Sequence, residues 1–214
     1  MRSKGEEKVR TVGSPTDPSI EGGALPLPRF FLERGAEEVA RDLLGCRLVS
    51  EIGGIEVGGR IVETEAYIGP QDPASHAAAR IGRTARNEPM FGPAGTAYIY
   101  FIYGMHWCFN VVTSIPGDPQ AVLIRALEPE FGISTMRERR DGSRDLTNGP
   151  ARLASALGIN GRLNGHLLSD PPLRLVWAPR REKDSVEVSG RIGIREAQEW
   201  PLRFFLAGHP NLSR

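Results

Sequence analysis

The chain announces its first helix at 36–44, where Ala36, Val39, Ala40, Leu43 and Leu44 fall on one apolar stripe and Gly45 ends it. From Cys46 the period drops from helical to two. CRLVSEI, the pair Gly53-Gly54 and IEVGGRIVETEAYI read as a strand, a turn and a long or bulged second strand. Residues 69–95, rich in Gly, Pro and Ala, predict a long loop of the kind that often carries function. TAYIYFI, a YGMH turn, WCFNVVTSI, a Pro-Gly-Asp-Pro turn and AVLIRALEP then predict three consecutive antiparallel strands. Two helices follow near 130–139 and 149–157, the second with Pro150 in its first turn and Gly158 at its end. LRLVWAP, VEVSGRIGI and PLRFFLAG supply the last strands. The expected fold class is α+β, a single domain built on a curved, mostly antiparallel sheet with flanking helices and a protruding β-hairpin. Residues 1–24 mix charge with Gly, Pro, Ser and Thr without any period, so they are expected to form a disordered tail before one domain over 25–214.

Within that frame a few positions break the pattern. In IVETEAYIG, Glu63 and Glu65 share one face of a strand with Tyr67. Two such glutamates often mark a solvated sheet face. Here Ile61 and Val62 precede them, and Tyr67 and His76 follow, which is the setting of a general base. Tyr98 and Tyr100 alternate along the next strand as core residues would, but Tyr103, Met105 and His106 surround Gly104 at a predicted hairpin tip. Large side chains at a tip are either covered by the 69–95 loop or shaped to enter something else, as minor-groove wedges do. Arg125 interrupts the apolar run AVLIRALEP and needs a carboxylate or an anionic ligand if buried, and Glu65 is available. An ion pair of that kind is either structural or functional.

Composition narrows the classes. A net charge of +1 excludes a uniformly basic nucleic-acid binder and leaves local clusters, such as Arg80, Arg83 and Arg86 or the arginines around Arg140. Lysine occurs only at 4, 8 and 183, so no amine nucleophile is available between them for Schiff-base chemistry. Cys46 and Cys108 show no metal-ligand spacing, and no metal or other cofactor is expected. The beginning MRSKGEEKVR lacks the apolar run of a signal peptide, and no stretch has the length of a membrane span. These features lead to the expectation of an intracellular protein that makes no membrane contact.

The linked runs GRIVETEAYIGPQDPASH, PMFGPAGTAYIYFIYGMHWCFNVV and AVLIRALEP, with LTNGPARLASALGI and PLRFFLAG further on, resemble the 3-methyladenine DNA glycosylase family of the alkyladenine type. The resemblance runs from about Leu27 to Gly208. It implies hydrolysis of the N-glycosidic bond of alkylated, and some deaminated or etheno-modified, purines flipped from double-stranded DNA, by a monomer found with DNA in the cytoplasm or the nucleus. By the same resemblance, Glu65 would activate water and Arg125 would help hold it. Tyr67, His76 and Tyr100 would sandwich the flipped base, and Asn110 would screen normal purines. Tyr103 would fill the gap left in the duplex, with Met105, His106, Arg80, Arg83 and Arg140 touching DNA. His106 stands where the family can carry tyrosine, and 140–147 is short against longer members. Two other readings compete: a module that binds distorted nucleic acid without chemistry, and a hydrolase of small nucleosides or sugars.

Overall fold

A computed structural model describes residues 25–213, so the expected tail over 1–24 lies outside the described residues. Among the described residues, eight strands form one sheet: β1 (Arg47–Ser50), β2 (Val57–Tyr67), β3 (Ala97–Ile102), β4 (His106–Thr113), β5 (Gln120–Phe131), β6 (Leu173–Val176), β7 (Val186–Ser189) and β8 (Arg203–Leu206). Every pairing is antiparallel, in the order β3-β4-β5-β2-β1-β6. β2 is long enough to take β1 along its first half and β8 along its second, on the edge opposite β5, and β7 then pairs β8. Branching at β2 curls the sheet, and β3–β4 protrudes as the expected hairpin.

Gly58 and Gly59 make the first half of β2 possible. A Cβ on Gly58 would sit 2.5 Å from the Phe131 ring, and one on Gly59 would sit 2.1 Å from the Glu128 carbonyl oxygen. A register shift lies between them, so they are bulge glycines that admit β5 at close range. The same contact corrects a boundary: β5 continues to Phe131, and the helix expected from about 130 begins only at Ile133, after left-handed Gly132.

Among the described residues, four short α-helices complete the domain: α1 (Arg29–Leu32), α2 (Ala36–Asp42), α3 (Ile133–Arg139) and α4 (Pro150–Leu157). The α2 stripe is buried as the period requires, with Val39, Ala40 and Leu43 against β2. In α4, Leu153, Ala154, Ala156 and Leu157 are buried, and Gly158 ends the helix at φ 73. Together these helices cover one sheet face, whose inward positions include Val122, Ile124, Phe109, Val111, Ala97 and Ile99. The alternate positions face the other way, where the 69–95 loop closes over Tyr98, Val112 and Ala121 through Ala77 and Met90. Because both faces are covered, β2 has no solvated side, and the reading of Glu63 and Glu65 as surface carboxylates is excluded. Among the described residues, no helix is long and apolar enough to cross a membrane.

Candidate active site

The face beneath the 69–95 loop collects the chemistry by register alone. Glu65 lies opposite Leu123, Leu123 opposite Asn110, and Asn110 opposite Tyr98, a row across β2, β5, β4 and β3. Two residues along each strand, on the same face, stand Tyr67, Arg125, Cys108 and Tyr100. Between these strands and the loop is a cavity of about 290 Å³, lined by Tyr67, His76, Tyr100, Asn110 and Arg125 among others. That volume lies at the small end for ligand sites.

Glu65 is fully buried behind this lining, and three of its neighbours hold it. Oε1 accepts the Ile192 backbone N–H at 2.7 Å and lies 3.0 Å from Arg125 Nη1. Oε2 accepts the Tyr67 hydroxyl at 3.0 Å. A carboxylate accepts about four hydrogen bonds, so Oε2 retains one free lone pair. Burial first, and the Glu65 charge second, push Tyr67 well above its ordinary pKa, so it stays a donor. Burial opposes the charge of Arg125, but Glu65 and Glu63 outweigh it and raise its pKa.

Glu63 holds a different set of partners. It takes Arg125 Nε at 3.0 Å, Arg203 Nε at 2.7 Å, and both the N–H and the hydroxyl of Ser213 at 2.6 Å. Arg125 reaches both carboxylates because the register skips it, jumping from Glu63–Ala126 to Thr64–Ile124. The resulting bulge turns its side chain between the two acids.

The loop supplies the opposite wall. His76 Nδ1 is 2.7 Å from the Tyr98 hydroxyl, and its ring meets Tyr100 edge-on at 4.5 Å between centroids. Burial, with the Arg86 charge nearby, lowers His76 to about 4, so the ring is neutral at pH 7. Asn110 donates its amide to the Tyr98 carbonyl at 3.0 Å, which leaves its side-chain oxygen for the cavity. Tyr103 and His106 stand at the rim. Tyr103 is 78% and Met105 68% exposed, so the loop does not cover the hairpin tip. Tyr103 holds φ at 54°, an unusual conformation for an aromatic residue, beside Gly104 at 67°.

The arginines expected to touch DNA lie outside the cavity lining. Arg80 pairs with Glu196 at 2.8 Å and Arg83 with Glu88 through Nε at 2.8 Å, so each positive charge has an acid beside it. Arg140 borders a second hollow with Met105, His106 and Arg152 between the hairpin tip and α4.

Sequence reading missed Asp72, Arg191, Ile192 and Ser213. The strand expected over VEVSGRIGI ends at Ser189, and the chain leaves the sheet at Gly190, where the lack of a Cβ lets the Gln198 carbonyl oxygen approach to 2.2 Å from the position that atom would take. Residues 190–194 instead fold back over Glu65. Arg191 among apolar neighbours carries the same signal as Arg125, and Ser213 carries none. Among the described residues, no three His, Cys, Asp or Glu side chains are grouped so as to hold a metal ion.

Comparison with known proteins places the chain in a family. The profile described as methylpurine-DNA glycosylase (MPG) matches residues 30–210. Relatives named "Putative 3-methyladenine DNA glycosylase" include one from Carboxydothermus hydrogenoformans, 48% identical over 192 residues, covering 88% of this chain and 98% of that protein. Others come from Methanoculleus marisnigri, 46% identical and covering 89% and 100%, and from Rhizobium meliloti, 49% identical and covering 86% and 94%. The chain belongs to the methylpurine-DNA glycosylase family. It is a DNA glycosylase, and DNA is its substrate.

Proposed function

We propose that this protein, acting as a monomer on double-stranded DNA inside the cell, releases alkylated or otherwise damaged purines with a water activated by Glu65. The observation that carries this reading is the buried Glu65, paired with Arg125 directly behind the lining of a cavity walled by Tyr67, His76 and Tyr100, beside an exposed hairpin tip. Extruding a base costs a few kcal/mol, and each aromatic stack returns about 1–3 kcal/mol, so two or three walls offset the flip. Tyr103 occupies the vacated stack, and Met105 and His106 flank it in the minor groove.

In the reaction, Glu65 accepts a proton from water as the water oxygen bonds to the anomeric carbon. The bond from that carbon to the purine nitrogen breaks, and its electron pair leaves with the base. An alkylated purine carries a positive charge and departs neutral, which eases the step. The buried carboxylate also faces the positive charge that builds on the sugar. Arg125 pairs with Glu65 and is itself anchored on Glu63, which fixes the guanidinium beside the carboxylate. The free oxygen of Asn110 narrows the space for an exocyclic amino group. Arg140 beside the second hollow supports a phosphate contact there, and Arg80 and Arg83, already paired with Glu196 and Glu88, would meet phosphates through their remaining donors.

Incubation with a duplex oligonucleotide bearing one 7-methylguanine tests the reading. Release of the free base with an intact abasic strand is expected. Tight binding without release would favour a binding module, and release from the free nucleoside alone would favour a small-molecule hydrolase.

A further inference from the structure

Both tyrosine walls of the cavity carry a guanidinium. Arg191 lies over the Tyr67 ring, 4.8 Å from its centroid, and Arg86 lies 5.6 Å from the centroid of Tyr100. Neither arginine belongs to the cavity lining, although both rings do. Arg191 is built in: its side chain and that of Asp72 are fully buried. Its Nη2 donates to Asp72 at 2.8 Å, and its Nη1 donates to the Ala66 carbonyl at 3.0 Å as well as to Asp72. Asp72 also takes the backbone N–H groups of Ile68 and Ala74, which fixes the start of the loop that carries His76. Arg86 is exposed and donates to the Phe101 carbonyl at 3.2 Å.

An aromatic face attracts a cation through its quadrupole, and a cation already held on one face weakens that attraction on the other. A base stacked about 3.5 Å in front of Tyr67 would lie about 8 Å from the Arg191 charge, close enough for repulsion to matter in a dry site. Asp72 opposes part of that charge from the far end of the guanidinium. We propose that Arg191, balanced by Asp72, and Arg86 are specificity-determining residues that reduce the pocket's preference for cationic over neutral damaged purines by polarising its two tyrosine walls. The neutral state of His76, the third wall, adds no positive charge to the cavity. This inference rests on the proposed base-stacking role of Tyr67 and Tyr100.

The test is single-turnover excision of 7-methylguanine, a cationic base, and of hypoxanthine, a neutral one, from otherwise identical duplexes at pH 6.0. The quantity read is the ratio of the two rates, normalised to the unmodified protein. Arg86→Gln and Arg191→Met should each raise the ratio by about three- to tenfold, and Asp72→Asn should lower it. Opposite shifts from the two members of one ion pair are the signature, since a merely structural pair would slow both substrates alike in both variants. If the single variants of the buried pair fail to fold, the neutral double variant Arg191→Met/Asp72→Asn replaces them and should raise the ratio. An unchanged ratio in that double variant and in Arg86→Gln overturns the proposal. Failure of the unmodified protein to release either base overturns the underlying reading of the pocket as well, and is told apart by that control.

Discussion

Glu63 and Glu65 are both fully buried and both touch Arg125, yet the structure gives them separable tasks. Replacing Glu63 with Gln keeps its shape and removes its charge. The glutamine oxygen must take the Oε1 position, where Arg125, Arg203 and the Ser213 hydroxyl converge. Its amide then faces the Ser213 N–H, donor against donor at a site now spanned by 2.6 Å. One charge-assisted hydrogen bond is lost, worth about 1.5–3 kcal/mol. Arg203 loses its carboxylate and Arg125 one of two, and breaking a buried pair costs about 3–5 kcal/mol. The two estimates overlap in what they count, so the larger range is the expected total, or about 10–15 °C in melting temperature for a chain of this size. Excision, measured at a temperature where both proteins are folded, should fall less than about tenfold, because Glu65 keeps Arg125, Tyr67 and Ile192. Thermal denaturation alongside single-turnover excision reads both quantities. A Glu63→Gln protein that melts like the parent, or that loses activity while fully folded, refutes the division of labour.

Ending the chain after Pro210 removes both Ser213 bonds to Glu63 and the Asn211 bond to the Leu127 carbonyl, and should lower the melting temperature by several degrees with the same sign as Glu63→Gln. His76 has a folded pKa of about 4 against an ordinary 6.5, so the unfolded chain binds its proton first as pH falls. Its contribution, about 3 kcal/mol, is complete above pH 6.5 and lost as pH drops towards 4. Denaturation midpoints from pH 7 to 4.5 should therefore fall less steeply in His76→Gln than in the parent. Tyr103→Ala should melt normally, since the side chain is exposed, and should excise poorly from duplex DNA while leaving the salt dependence of binding unchanged. Normal excision by that variant would mean that the tip is no wedge.

The strands and the α2 stripe were legible because their periods of two and 3.6 survive in the fold, and the hairpin because large residues at 103–106 had no sheet of their own to enter. Arg125 was legible as a charge in an apolar run, which allows only a few solutions. What register skips did was not legible: the bulge that sets Arg125 between two glutamates leaves no mark in AVLIRALEP. Nor was the fate of residues 190–194, which read as strand but leave the sheet at Gly190, where a distant segment packs its Gln198 carbonyl against the glycine. Charge counting found the arginines at 80 and 83 but not their partners, because Glu196 is brought to Arg80 from more than a hundred residues away. Ser213 became visible only once the chain end was seen to return to β2.

The central claim is that Glu65 activates water. Glu65→Gln tests it with little structural change, because the amide oxygen can keep the Ile192 N–H and Arg125 while the amide nitrogen donates to a Tyr67 hydroxyl turned to accept. Single-turnover release of 7-methylguanine from duplex DNA should fall by about 10²–10⁴-fold with DNA affinity retained. A folded Glu65→Gln protein that releases the base at nearly the parental rate would contradict the account.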